Sequence, residues 1–138
     1  MSEQNKAIVR RWIKELDKHN FEIMDELVSP DVAFHMPGNT MAFEPYKQFV
    51  CDVYEALPDL HHELEDLFAD GDYVMMRATD SGTQKGVFMG VPPTGKKVTV
   101  TAMGIFRIKQ GKVVEGWEEL DMLGLMQQIG ALPAPGEG

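Results

Sequence analysis

The chain has 138 residues, of which 43% are hydrophobic and 25% charged, enough apolar material for one domain over residues 1–138 and the wrong mix for a disordered or fibrous chain. Thirteen Lys and Arg against 22 Asp and Glu leave a net charge of −9, which repels phosphate backbones and anionic lipid and so argues against nucleic acid and membrane as partners. A lone cysteine, Cys51, rules out an intrachain disulfide framework and a cysteine zinc site; with no apolar leader in MSEQNKAIVRRW and no apolar run of spanning length, the expectation is a soluble cytoplasmic protein.

From Ser2, read as an N-cap, the residues Ile8, Val9, Trp12, Ile13 and Leu16 recur at helical spacing as far as Lys18 and predict an amphipathic first helix. Asn20 is placed to end it and to cap a short second helix carrying Phe21, Ile23, Met24, Leu27 and Val28, stopped by Ser29 and Pro30. Asp31 to Met36 predicts a short strand, Pro37-Gly38-Asn39 a loop, and Pro45 the first turn of a helix whose apolar stripe is Phe49, Val50, Val53, Tyr54 and Leu57, ended by Pro58. Beyond Pro58 the period drops to two. Leu60 to Ala69 and Tyr73 to Thr79 flank Asp70-Gly71, and Lys97 to Lys109 and Lys112 to Leu120 flank Gln110-Gly111; both read as hairpins, with an irregular stretch from Gly82 to Gly95 between them. Met122 to Ile129 reads as a last short helix before a tail over 131–138 that is expected to fray. Helices first and consecutive strands afterwards give an α+β fold with helices on one face of a curved antiparallel sheet.

The last strand is the most informative segment, because a period of two sorts its side chains onto two faces. Val114, Gly116, Glu118 and Leu120 fall on one; Val113, Glu115, Trp117, Glu119 and Asp121 on the other. Glu118 is thus alone among apolar neighbours, and if its face lines the helix-covered concavity, desolvation raises its pKa and makes it a usable proton shuttle. Gly104, Gly116 and Ala102 on the same face leave room beside it, although a strand glycine also marks a bend. Phe34, Phe88, Phe106 and ten methionines suit either an apolar pocket or an ordinary core. His35, where a strand meets the Met-Pro-Gly loop, is a candidate at the pocket rim. The neighbours His61 and His62 point to opposite faces of a strand and cannot jointly grip an ion. No nucleophile elbow, phosphate loop, dinucleotide fingerprint or zinc-protease motif is found.

GVFMGVPPTGKKVTV (Gly86 to Val100), IFRIKQGKVVEGWEELD (Ile105 to Asp121) and LGLMQQIGALP (Leu123 to Pro133) resemble the SnoaL-like polyketide cyclases of the nuclear-transport-factor-two-like superfamily, as do ELVSPDVAFHMPG and the first helix. The resemblance implies a cone-shaped α+β barrel, with helices packed on a strongly bent sheet around a deep apolar cavity, no cofactor, and a homodimer. In the family an aspartate directly after the last-strand tryptophan is the general acid/base; here Glu118 follows Trp117. A histidine that assists it would fall at Gly104 and is missing, while His35 matches a histidine frequent in the first strand. The expected catalytic pair is therefore Glu118 and His35, and the expected ligand contacts are Trp12, Phe34, Tyr54, Phe88, Ala102, Gly104, Phe106 and Gly116. The function implied is cofactor-independent proton transfer on a small apolar carbonyl compound, closing a ring by intramolecular aldol attack or shifting a double bond. The competing reading is a non-catalytic protein of the same fold that binds an apolar small molecule or a partner.

Overall fold

The structure, a computed structural model, describes residues 2–133 and 136. Helix α1 (Ser2–Asp17) buries Val9, Trp12, Ile13 and Leu16, the predicted stripe. Ser2 is itself helical rather than the cap, and the helix stops where His19 takes a left-handed φ of 66°, its N–H bonded to the Leu16 carbonyl. Asn20 does not cap the second helix. Its amide turns back to Glu15 at 3.0 Å, and the one-turn helix α2 (Ile23–Leu27) begins without a side-chain cap.

Strand β1 (Val28–Met36) starts three residues earlier than predicted, and Pro30 sits inside it. The proline is tolerated because it has a register partner on neither side: only the last three residues of β1 pair with the short strand β2 (Asn39–Met41), and the pairing with the last strand is interrupted between Val28 and Ala33, so no ladder bond is lost. β2 falls where a loop was predicted; three residues, two of them polar, carry no periodicity to read. Helix α3 (Phe43–Ala56) has Pro45 in its first turn and buries Tyr46, Val50 and Tyr54. The hairpins come next as β3 (His61–Asp70) with β4 (Tyr73–Thr83), and β5 (Lys97–Lys109) with β6 (Lys112–Leu120). The second turns on Gln110 and Gly111, both with positive φ (51° and 78°), as a two-residue hairpin with the right twist requires. Helix α4 (Met122–Gln128) is capped by Asp121, whose carboxylate accepts from the Gly124 N–H at 2.9 Å. Of the tail predicted to fray, residues 134, 135, 137 and 138 lie outside the described residues.

The six strands form one curved sheet in the order β2-β1-β6-β5-β4-β3. Two expectations need correcting. The sheet is not wholly antiparallel, because β1 runs parallel to β6: the chain reaches β6 only after crossing the whole sheet, and alternation within a strand says nothing of its partner's direction. Nor does a barrel close; β2 and β3 remain edges, and α1 and α3 cover the concave face instead. The fold is α+β, as read from the sequence.

On the outer face, one row crosses the sheet as Phe68, Met75, Ile105, Trp117 and His35, and Phe68 remains 59% exposed. Between the hairpins, Gln84 is completely buried. Its amide nitrogen donates to the carbonyls of Gly86, Val91 and Pro92, and its oxygen accepts from Thr94, so one side chain satisfies a loop that has no ladder of its own.

A carboxyl in a methionine-lined cavity

The concave face of the sheet and the two long helices enclose a cavity of about 380 Å³. Apolar residues dominate the wall, and Met36, Met41, Met76, Met89 and Met122 are among them. Its polar side chains include Tyr46, His62, Asp80 and Glu118.

Glu118 occupies the position alternation assigned it. It pairs across β5 with Gly104 and faces the cavity, where burial raises its carboxyl from 4.5 to about 7; a hydrogen bond from Tyr46 and the nearby His62 pull the other way, and Asp80 adds to the rise. The Tyr46 hydroxyl, from the first turns of α3, donates to Oε1 at 2.6 Å. Burial and the Glu118 charge push that hydroxyl well above its ordinary value, so it remains a donor. The Tyr46 ring is itself fixed by stacking on Phe34, with centroids 3.6 Å apart.

A second polar cluster lies across the sheet. Asp17, at the end of α1, accepts from the Tyr54 hydroxyl at 2.6 Å and the His62 backbone N–H at 2.9 Å, and holds His62 Nδ1 at 2.7 Å. Burial pulls the His62 imidazole down, but the Asp17 hydrogen bond and the charges of Asp80 and Asp17 outweigh it, and its pKa rises. Burial drives the Asp80 carboxyl up against the opposing charge of His62. His61 points the other way, exposed, yet its ring also reaches Asp17 at 3.4 Å. Among the described residues no three His, Cys, Asp or Glu side chains converge as a metal site.

Of the expected ligand contacts, Trp12, Tyr54, Ala102 and Phe106 line the cavity with Glu118. Phe34, Phe88, Gly104 and Gly116 do not. The glycines leave space, but aromatic rings fill it: a Cβ on Gly116 would lie 2.6 Å from the Phe34 ring, and one on Gly104 2.8 Å from the Phe106 ring. Phe34 is fully buried behind Tyr46, and Phe88 lines a separate small pocket under α4. His35 is corrected most sharply. Phe34 points inward, so His35 next to it must point outward; there it stacks on Trp117 and bonds to Glu115 at 2.7 Å, on the far side of the sheet from Glu118. Val114 is not a face-mate of Glu118 either. The register shifts between Arg107 and Ile108, a bulge that turns Val113 into the core, 0% exposed, and leaves Val114 unpaired.

Tyr46, His62, Asp80 and Asp17 are absent from the sequence-based expectation. His62 shares a face with Leu60 and Leu64, and Asp80 with Met76 and Ala78, so each is a polar residue at an apolar position, the signal that singles out Glu118. Asp80 lies one residue beyond Thr79, the predicted end of β4.

A model of the SnoaL-like polyketide cyclase family matches residues 6–129. Among solved structures, the chain is similar to AclR from Streptomyces galilaeus, described as a candidate hydroxylase, with 28% identity, a TM-score of 0.90, and coverage of 96% of this chain and 100% of that one. It is also similar to a candidate SnoaL-like polyketide cyclase from Jannaschia sp. CCS1 (28% identity, TM-score 0.88, 96% and 95% covered). IdmH of Streptomyces antibioticus, a candidate polyketide cyclase, matches at 26% identity and TM-score 0.82, covering 92% and 99%. No curated protein matches in sequence.

Proposed function

The chain belongs to the SnoaL-like polyketide cyclase family, and from that premise we propose that it is a cofactor-independent cyclase or isomerase acting on a small apolar carbonyl compound by proton transfer through Glu118. The observation that carries the reading is the Glu118 carboxyl itself, poised at about 7 in an apolar cavity with Oε1 anchored by Tyr46, so that the other oxygen is the one turned to a ligand. A base whose pKa lies near the working pH exchanges protons with a carbon acid in both directions.

In this mechanism Glu118 removes a proton from a carbon beside a carbonyl, and the charge moves to the carbonyl oxygen. Trp12 Nε1 is buried in the wall without a hydrogen-bond partner among the described residues, and it supplies the donor that the enolate oxygen needs. The enolate carbon attacks a second carbonyl of the same molecule, a carbon–carbon bond forms, and Glu118 returns its proton to the resulting alkoxide. Returning the proton to another carbon gives double-bond migration instead.

The test is deuterium incorporation into 2-tetralone in heavy water, monitored by NMR. The wild-type protein should accelerate exchange over buffer, and Glu118→Gln should lose that acceleration by about 100-fold. Equal exchange by both proteins removes Glu118 from the mechanism; binding of the ketone without exchange by the wild type makes the protein a ligand carrier.

The reading includes a homodimer formed through the outer sheet face. The row from Phe68 to Trp117 is apolar, and two of the basic side chains beside it are already paired within the chain, Arg77 with Asp66 at 2.7 Å and Arg107 with Glu115 at 3.1 Å. Two copies can therefore meet across the row with these arginines already neutralised.

A further inference from the structure

Asp80 interrupts an apolar run. The inward positions of β4 before it are Val74, Met76 and Ala78, and Asp80 comes next in the cavity wall, only 7% exposed. Among the described residues its Oδ1 is buried with no hydrogen-bond partner, a state that costs a carboxylate dearly unless something else supplies a donor. Its Oδ2 faces His62 Nε2 at 3.7 Å, too long for a hydrogen bond. Asp17 holds the other nitrogen of that ring at 2.7 Å, so the imidazole cannot turn away, and among the described residues Nε2 has no hydrogen-bond partner. With its Nδ1–H given to Asp17, the imidazolium form of His62 presents Nε2–H as a donor beside the Asp80 acceptor; each is short of a partner, and a single hydroxyl satisfies both. Its hydrogen goes to Asp80 Oδ1, and its oxygen accepts from His62 Nε2.

We propose that Asp80 and His62 form a hydroxyl-recognition subsite at the β3–β4 end of the cavity, so that the ligand is an apolar carbonyl compound that also bears a phenol or enol hydroxyl. The proposal rests on the preceding reading of the cavity as the ligand site. An acidic hydroxyl suits the place because its bond to a carboxylate is charge-assisted and short. A flat ring suits it because Trp12, Tyr46, Phe49, Tyr54 and Phe106 line the space. Glu118 lies level with Met76 two strands away, and Asp80 comes four residues further along β4, roughly 13 Å along the strand and two strand widths across, so the hydroxyl and the reacting carbon belong to different ends of a fused-ring or similarly extended molecule.

Calorimetric titration with 6-hydroxy-2-acetonaphthone and with 2-acetonaphthone, which lacks only the hydroxyl, tests this. The wild-type protein should bind the hydroxylated ketone about tenfold more tightly, Asp80→Ala should reduce the preference to about twofold or less, and Glu118→Gln should preserve it. Parity in the wild type, as expected of a subsite that only holds water, overturns the proposal. So does a preference that survives Asp80→Ala, or one that vanishes in Glu118→Gln and so places the hydroxyl on Glu118. If Asp80→Ala does not fold, a crystal of the wild-type complex decides: the hydroxyl within hydrogen-bond distance of Asp80 Oδ1 and His62 Nε2 supports the subsite, and a hydroxyl elsewhere refutes it. The two readings fail separately. Loss of ketone exchange with the hydroxyl preference intact strikes only the proton-transfer mechanism, and parity in binding with Glu118-dependent exchange intact strikes only the subsite.

Discussion

Replacing Glu118 by Gln keeps the shape of the side chain and a carbonyl oxygen for the Tyr46 hydroxyl, now 2.6 Å from Oε1, while removing the charge. Burial raises the carboxyl from 4.5 to about 7, which makes the ionised form about 3 kcal/mol more expensive in the folded chain than in the unfolded one. This is an upper bound, since the carboxyl faces a cavity that admits water. The sign comes from proton counts: the folded chain keeps the Glu118 proton over a range where the unfolded chain has lost it, so wild-type stability falls as pH rises from 4.5 to about 7. The Gln variant has no such loss. It should match the wild type where both carboxyls are protonated, exceed it by about 1 kcal/mol near about pH 5.5, and by about 3 kcal/mol near about pH 8.5. Urea unfolding at the two pH values, with slopes compared to check that the unfolded ensembles are alike, measures the gap. A variant less stable than the wild type at the higher pH would show that the charge of His62 holds Glu118 ionised more strongly than burial penalises it. The assignment of a tuned base would then fall.

Gly116→Ala should destabilise the protein by about 2 kcal/mol in urea unfolding, because the new methyl would lie 2.6 Å from the Phe34 ring that fixes Tyr46; the same change should slow ketone exchange by displacing Tyr46 from Glu118. Asp17→Asn should cost about 3 kcal/mol below pH 6.5, where its loss leaves a buried imidazolium without its partner, and NMR should find the His62 titration shifted downward. The sign is that of a raised histidine: its stabilising share is full below the ordinary value of 6.5 and fades as pH passes through the folded value. Sedimentation should show two chains for the wild type and one for Ile105→Lys, which sets a charge in the middle of the outer apolar row; a wild-type monomer at high micromolar concentration would end the dimer reading.

Element order and type are readable because each strand past Pro58 keeps a period of two and each long helix before it a period of 3.6. Glu118 is readable for the same reason. Other features lie outside what a period encodes. The bulge at Val114 inserts one residue and exchanges the faces of everything before it, so Val113 and Val114 trade places while Glu118, beyond the bulge, keeps its own. The parallel pairing of β1 with β6 depends on partners as far apart in sequence as Phe34 and Gly116. Alternation alone excludes His35 from the cavity once Phe34 beside it is placed inside; the family likeness that favours a histidine there carries no information about which face this one takes. His62 and Asp80 are the converse case, lone polar residues in the apolar rows of β3 and β4 that period two marks as plainly as it marks Glu118 on β6.

The methionines along the cavity wall bear on how such a protein changes its substrate. Unbranched thioether chains refill a space in many rotamers, so the wall accepts ligands of differing outline and discriminates weakly among shapes. In the function proposed above, selectivity then resides in a few polar points, Glu118, the Trp12 indole nitrogen and Asp80, each carried on a different element of the scaffold. A descendant of this sequence can acquire a new substrate by relocating one polar atom from strand to strand, without rebuilding the core that holds the cavity open.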